Sequence, residues 1–496
     1  MYRRKLFFIL LIGGWSLFML NPVNAQIENW PQFRGVNCSG VAAEGQNPPI
    51  SFGPDKNLLW KASLPEGHSS PCIWEDCIFI TGTEKENKLF KLFCIDRNDG
   101  NIRWEESIAV EGFERTLVVG NPATATPSTD GERVYFYFGS HGLLCYDLNG
   151  EKQWELSMPV PKSRHEMGTS PIVTGDLVIL NCFGDQNDPR LLALNKHDGS
   201  IVWKHSLPEL KNRDSYATPV IYKDEVIIYA SDCVAGYNII TGDNKWRFIT
   251  NVVDAASTPV IGKDILYTVS YSAMGNPAMR AQFPDFMEFA SKYDKNGDLL
   301  LEQNEVKDFQ FLLLPEMPEI PGYNVPIMYV MGWWDENKDS FIDSTEWKNV
   351  SDRWEARYNR QGLKAIKLGG EGDIGLNYFL WSHTDDVPYV SSPLLFKDHV
   401  YMIKNGGIIS CFHAESGKLL YRESLGASGT YFSSPIAANG RIYIASRNGI
   451  VTVFEAGEKL NILAHNDLDD KIMATPAVVD DKLYIRTARF LYAFGE

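Results

Sequence analysis

The feature that most constrains this chain is a marker repeated eight times. Ser or Thr is followed by Pro and then by a short apolar run, with the prolines at 71, 127, 171, 219, 259, 393, 435 and 476. The intervals are 56, 44, 48, 40, 134, 42 and 41 residues, so one period of about 44 residues runs through the chain and is broken once by an excess of about 90. A chain that repeats itself at this spacing builds its core by stacking equivalent units, and its 496 residues need not mean several unrelated domains.

A second marker accompanies the first. A small residue leads by two to Asp, Asn or His, then to a Gly turn, and an aromatic follows ten residues after the small one. The copies are Cys94-Ile95-Asp96 with Gly100 and Trp104, Ala193-Leu194-Asn195 with Gly199 and Trp203, and Gly236-Tyr237-Asn238 with Gly242 and Trp246. Cys411-Phe412-His413 with Gly417 and Tyr421 keeps the spacing. Cys145 with Gly150 and Trp154 is one residue shorter, Ala365 reaches Trp381 only after a longer stretch, and in the seventh copy Val453 leads to Leu463. Between the markers lie alternating runs such as Glu225–Tyr229 and Arg441–Ala445, the period of antiparallel strands with one buried face. Four strands per unit is the content of a propeller blade. The last unit stops at Glu496 before its aromatic strand, and Asn57–Lys61, with Trp60, supplies a matching one. The reading is therefore all-β: an eight-bladed β-propeller closed by an N-terminal strand, which leaves the sheet ring without an open seam.

These small-x-Asp repeats resemble those of the pyrroloquinoline-quinone-type (PQQ-like repeat) eight-bladed propellers over residues 30–280 and 363–496. Trp30-Pro31-Gln32-Phe33-Arg34-Gly35 is similar to an opening found in exported bacterial members. The resemblance implies that the Trp side chains pack between neighbouring blades. It implies two outcomes for function: quinoprotein dehydrogenases, and noncatalytic scaffolds like the barrel-assembly propeller of the outer membrane. For the dehydrogenases it further implies a disulfide between adjacent cysteines, an axial Ca²⁺ held by Glu, Asn and Asp, and an Asp base. This chain has no two adjacent cysteines, so PQQ is not the expected cofactor.

The long interval changes texture. From 281 to 362 the alternation gives way to helical spacing, and two acidic windows appear. They are Asp294, Asn296, Asp298, Leu300, Glu302 and Glu305, and then Asp335, Asn337, Asp339, Phe341, Asp343 and Glu346. Both resemble EF-hand loops. A hard cation takes six to eight oxygens, supplied at positions 1, 3 and 5 by side chains, at 7 by a carbonyl, at 9 through water and at 12 by a bidentate carboxylate. Leu301 and Ile342 occupy the apolar position 8, where paired loops join. Position 6, normally Gly, is Leu299 or Ser340, which leaves every ligand in place but predicts weaker binding. Ca²⁺ is the expected metal, in a small α-helical EF-hand pair set into blade 5.

Residues 1–25 read as a signal peptide: Arg3, Arg4 and Lys5, an apolar run from Leu6 to Leu20, Pro22, and Val23-Asn24-Ala25 before Gln26. Export to the periplasm or beyond the cell is expected, with no membrane span once the leader is removed. The leader's three cations leave with it and take the net charge from −16 to −19, a balance that argues against nucleic acid. Eight cysteines in an exported chain suggest disulfides, but Cys94, Cys145 and Cys411 occupy the small-residue slot, as Ala193 does elsewhere; Cys72 and Cys77 are the one pair placed to meet across a hairpin. The chain divides into leader 1–25, N-terminal segment 26–56, propeller 57–280, insertion 281–362 and propeller 363–496.

The turns before each Ser/Thr-Pro should rim a central funnel. They carry His68, Arg115, Arg164, His165, Glu166, Arg213, Asp214, Asp254 and Tyr431. No Gly-x-Ser-x-Gly, zinc-spaced His pair or phosphate loop is present. The expectation is a noncatalytic calcium-binding scaffold for a protein or a small polar ligand at a propeller face. The alternative is a quinoprotein dehydrogenase or another enzyme using the funnel.

Overall fold

The computed structural model describes residues 29–116, 120–163, 165–207, 214–230, 233–250, 254–271, 285–313, 323–358 and 361–496. The leader falls outside the described residues, as do Arg164 and Arg213.

Eight sheets form the ring. Blades 1 to 4 take their first four strands in chain order: Cys72–Trp74 through Ile102–Ala109, Ser128–Thr129 through Lys152–Ser157, Ile172–Thr174 through Ile201–Ser206, and Val220–Tyr222 through Asn244–Ile249. Blade 5 opens with Val260–Gly262 and Ile265–Ser270, and resumes after the insertion with Gly362–Lys367 and Phe379–His383. Blades 6 and 7 run from Leu394–Phe396 to Leu419–Ser424 and from Ile436–Ala438 to Ile462–Asp467. Blade 8 joins Ala477–Val479, Lys482–Arg486 and Phe490–Phe494 to the N-terminal strand Leu58–Ser63, in the order expected.

The small-residue slot has a packing cause. In each aromatic-bearing blade it lies directly across the ladder from the aromatic: Cys94 faces Trp104, Cys145 faces Trp154, Ala193 faces Trp203, Gly236 faces Trp246, Ala365 faces Trp381, Cys411 faces Tyr421 and Ala493 faces Trp60. An indole lying over the sheet leaves room opposite only for a small side chain. In blade 7 the residue facing Val453 is Ala464, so Leu463 does not hold the aromatic's place.

Five of the indoles also stitch one blade to the next. Trp60, Trp104, Trp154, Trp203 and Trp381 donate from Nε1 to the carbonyls of Arg97, Leu148, Lys196, Ile239 and Ala414, each at 2.9 Å. The turn glycine sits under the ring: Gly199 has φ +72°, and a Cβ there would lie 2.6 Å from the Trp154 ring. Blade 4 departs from the pattern. Trp246 donates to Glu225 within its own blade at 2.7 Å, and a fifth strand, Gly372–Asp373, lies parallel to Trp246-Arg247. The extra residues between Ala365 and Trp381 thus cover the blade 4 edge.

All eight cysteines are buried and unbridged. Cys72 and Cys77 do not meet: Cys72 pairs with Phe79 and Cys77 with Trp74, two steps apart on the hairpin.

Candidate functional site

The Ser/Thr of the first marker acquires its meaning at the propeller axis. The amide of Ser70 donates to the Thr126 hydroxyl at 3.0 Å, Thr126 to Ser170 at 3.0 Å, Ser170 to Thr218 at 3.2 Å and Thr218 to Thr258 at 3.1 Å. Thr258 donates to Ser392, Ser392 to Ser434, Ser434 to Thr475 and Thr475 back to Ser70, each at 3.0 Å. Eight amide-to-hydroxyl bonds close a circle. The proline explains the geometry: it holds the preceding residue extended and has no N–H of its own to leave unpaired on an inner edge strand.

All eight hydroxyls line one axial cavity of about 160 Å³. Its remaining wall is mainly aromatic and titratable: Tyr216, Tyr389, Phe432, His68, His165 and Glu166. Phe33 from the N-terminal segment also lines it.

That segment bonds to the innermost strands of several blades. Trp30 exchanges backbone bonds with Ile73 of blade 1 at 2.9 and 2.8 Å, and Pro31 accepts from Thr129 of blade 2 at 2.8 Å. Asn37 brackets Ile221 of blade 4 with bonds of 2.8 and 2.7 Å. Arg34 is wholly buried and donates to the Pro393 carbonyl of blade 6 at 2.8 Å; Ala437 of blade 7 bonds Gly40 and Ala42, each at 2.8 Å. Residues 30–42 therefore tie five blades together across the axis.

Behind Glu166 stands Glu114, 5% exposed. Its Oε2 accepts from the Met167 amide at 3.3 Å, while Oε1 has no partner. Burial, with the Glu166 charge adding to it, pushes this carboxyl up to about 8, so Glu114 is protonated at neutral pH. His68 is driven the other way, to about 3, by burial and by Arg486, Lys85 and Arg447.

The expected rim is partly reassigned. His68, His165 and Glu166 line the cavity. Arg115 is exposed and is not part of its wall. Tyr431 is buried, with its hydroxyl on the Ala427 carbonyl at 2.7 Å, and its neighbour Phe432 faces the axis instead. Asp214 and Asp254 pair their backbones in a short parallel bridge between blades 4 and 5. Glu114, Tyr216 and Tyr389 escaped sequence reading because nothing repeats at their positions.

The insertion leaves blade 5 after Ser270 and rejoins it at Gly362, across the hairpin between the second and third strands. Its helices are α1 (Phe286–Tyr293), α2 (Gln303–Val306), α3 (Met328–Trp334) and α4 (Ser344–Tyr358). Phe289, Met331, Trp334, Trp347 and Val350 pack a separate core between them. Leu301 pairs with Ile342 and Glu302 with Phe341, so the two acidic loops are joined back to back. Their hydrogen bonds match. Asp294 accepts from Gly297 and Leu299 at 2.7 and 2.9 Å, and Asp335 from Asp339 and Ser340 at 3.1 and 3.0 Å. Glu305 accepts from Lys295 and Glu302 at 2.8 and 3.1 Å; Glu346 accepts from Glu336 and Asp343 at 2.7 and 3.3 Å. Leu299 and Ser340 take φ of 60° and 75°, the conformation that Gly would adopt without strain. In the second loop carboxylate oxygens of Asp335, Asp339 and Glu346 lie within 4.8 Å of one another.

Eight blades about an axis, seven of four strands and one of five, built on this repeat, define the class of protein. Residues 51–272 match the family model of the outer membrane protein assembly factor BamB. An uncharacterized protein of Rickettsia conorii is 34% identical over 132 residues, which are 26% of this chain and 30% of that protein's length. BamB from Moraxella catarrhalis aligns over 88% of this chain and 98% of its own with a TM-score of 0.50 and 11% identity. A europium-containing methanol dehydrogenase aligns over 95% and 98% with a TM-score of 0.58 and 10% identity. The quinohemoprotein alcohol dehydrogenase of Comamonas testosteroni aligns over 95% and 81%, at 0.57 and 10%. At these identities the likeness is one of fold. No helix among the described residues is long and apolar enough to cross a membrane.

Proposed function

We propose that this protein is an exported, noncatalytic calcium-binding propeller that serves as an interaction scaffold in the periplasm or outside the cell. The observation that carries the calcium assignment is the matched pair of loops. Both wrap a first-position Asp around two amides and close with a twelfth-position Glu, and the second gathers three carboxylates about one point. Asp294, Asn296, Asp298 and Glu305, and Asp335, Asn337, Asp339 and Glu346, would hold the ions, with the Leu300 and Phe341 carbonyls and with Glu302 and Asp343 acting through water. Bound calcium supplies charge compensation and order; the affinity expected of an extracellular module is about 10⁻⁴–10⁻³ M.

The axial lining supports a scaffold over a quinoprotein. No adjacent cysteines exist to form the disulfide a quinone site calls for, and among the described residues the cavity wall carries one carboxylate, Glu166, backed by a protonated Glu114. The outer membrane assembly factor whose family model matches supports a protein partner.

Calorimetric titration of calcium-free protein with Ca²⁺, then with PQQ, tests the reading. Calcium heat that disappears in the Asp294→Ala, Asp335→Ala double variant, with no quinone heat, is the expected result. Stoichiometric quinone binding would overturn the scaffold. Absence of calcium heat at millimolar concentration would mean that Leu299 and Ser340 disable the loops.

A further inference from the structure

A second cavity, of about 260 Å³, lies off the axis, walled by blades 7, 8 and 1. Four cations from separate elements converge on it. Lys85 follows the second strand of blade 1, Arg447 the second strand of blade 7, Lys471 sits in the loop from blade 7 to blade 8, and Arg486 ends the second strand of blade 8. Among the described residues the only carboxylate in the wall is Glu66, which is 68% exposed and lies 3.4 Å from Lys85. Nearby Asp470 is not in the wall and is taken up by Arg489 and the Thr487 hydroxyl. A local cationic cluster of this kind is the reverse of the chain's overall balance, a net charge of −16.

Arg486 makes the case strongest. It is 1% exposed, and its guanidinium donates to the Ser69 hydroxyl at 2.8 Å, to the Pro65 carbonyl at 3.1 Å and to the Thr81 carbonyl. None of these partners carries negative charge, and Nε has no partner at all. Gly67 passes so close that a Cβ there would lie 2.4 Å from Nη2. A buried guanidinium without a counterion is unfavourable, and an anion entering the cavity offsets that cost. Guanidinium forks and ammonium groups together suit oxygens that carry charge in a plane or a tetrahedron.

We propose that this off-axis cavity binds a small multivalent oxyanion, a carboxylate or a phosphate, held by Lys85, Arg447, Lys471 and Arg486. Its volume suits a dicarboxylate or a phosphate ester and not a polymer. The wall it shares with the axial cavity, at His68 and Met473, places the ligand beside the mouth of the funnel. The site is independent of the calcium loops, so either assignment can fail alone.

Titrating the full chain in chloride buffer, calcium removed by passage over a chelating resin, with inorganic phosphate and separately with succinate, tests this. One saturable site is expected for at least one probe, weakening as salt rises. Arg447→Ala and Lys471→Ala should each weaken it about tenfold or more, and Lys471→Arg should retain it. A phosphate response alone identifies a phosphoryl ligand; a succinate response alone identifies a carboxylate. Lys85→Ala, at a half-exposed position, gives a variant that folds if the others do not. No saturable heat with either probe up to about 10 mM, or unchanged affinity in all three alanine variants, overturns the proposal.

Discussion

Replacing Thr475 by Val removes one link of the axial circle and little else. The Thr475 hydroxyl accepts from the Ser434 amide at 3.0 Å, and both residues are buried, at 3% and 2% exposure. Val keeps the branched shape and the backbone amide that donates to Ser70. What is lost is the acceptor, so the Ser434 N–H is left buried and unpaired. An orphaned buried donor costs about 1–3 kcal/mol. Thr475→Ser keeps the oxygen and loses a methyl, which costs about 1 kcal/mol or less. Urea unfolding compares the two variants, and amide exchange at Ser434 reads the bond itself. In the Val variant that amide should exchange about tenfold faster or more, and the Ser variant should stay near the parent. Adding Thr218→Val, which frees the Ser170 amide on the far side of the ring, asks whether the links act separately. Additive costs mean eight local bonds; a larger joint cost means that the circle acts as a unit. Equal destabilisation by Val and Ser, or unchanged exchange at Ser434, would refute the argument.

Three further expectations follow from named contacts. Because Asp335, Asp339 and Glu346 are already gathered, the second loop should fill first, and Glu346→Gln should weaken the tighter calcium step while Glu305→Gln weakens the other; stepwise calorimetry decides. Glu114 is held protonated by burial, its folded value of about 8 lying above the ordinary carboxylate range. The folded state therefore binds the extra proton between about pH 4.5 and 8, and stability falls as pH rises through that window, by at most about 1.4 kcal/mol per unit from this group. Glu114→Gln should flatten that slope in denaturation measured from pH 5 to 8, with its largest gain at the alkaline end. Arg34→Ala removes a fully buried side chain bonded to the Pro393 carbonyl and should cost about 2–4 kcal/mol in urea unfolding; a loss under about 0.5 kcal/mol would show that the N-terminal crossing does not brace the ring.

What the sequence revealed and concealed divides along local and nonlocal lines. The prolines and the small residue ahead of each Trp are short-range patterns, and each marks a real strand or pairing; the match of Trp60 to the last blade was legible only because the repeat left one aromatic strand missing there. The circle of hydroxyls is invisible in one dimension, since Ser70 and Thr475 touch only after the ring has closed. The N-terminal crossing was hidden because residues 30–42 neither alternate nor repeat, yet Arg34 and Asn37 reach blades 6 and 4. The Tyr431 assignment missed by one position: its neighbour Phe432 lines the axial cavity, while the Tyr431 hydroxyl turns to the Ala427 carbonyl. The cationic cavity joins Lys85 to Arg447, Lys471 and Arg486, residues some 360–400 positions away in the chain.

The seam of blade 8 sets the order of assembly. Leu58 and Phe494 are partners 436 positions apart, whereas most strands pair within their own repeat. The entropy of so long a loop exceeds that of a 44-residue repeat by only about 2 kcal/mol, so the closed state is not much penalised. The timing is what changes. Seven blades can condense as their strands become available, but Leu58–Ser63 must wait, with Trp60 exposed, until Phe490–Phe494 arrives.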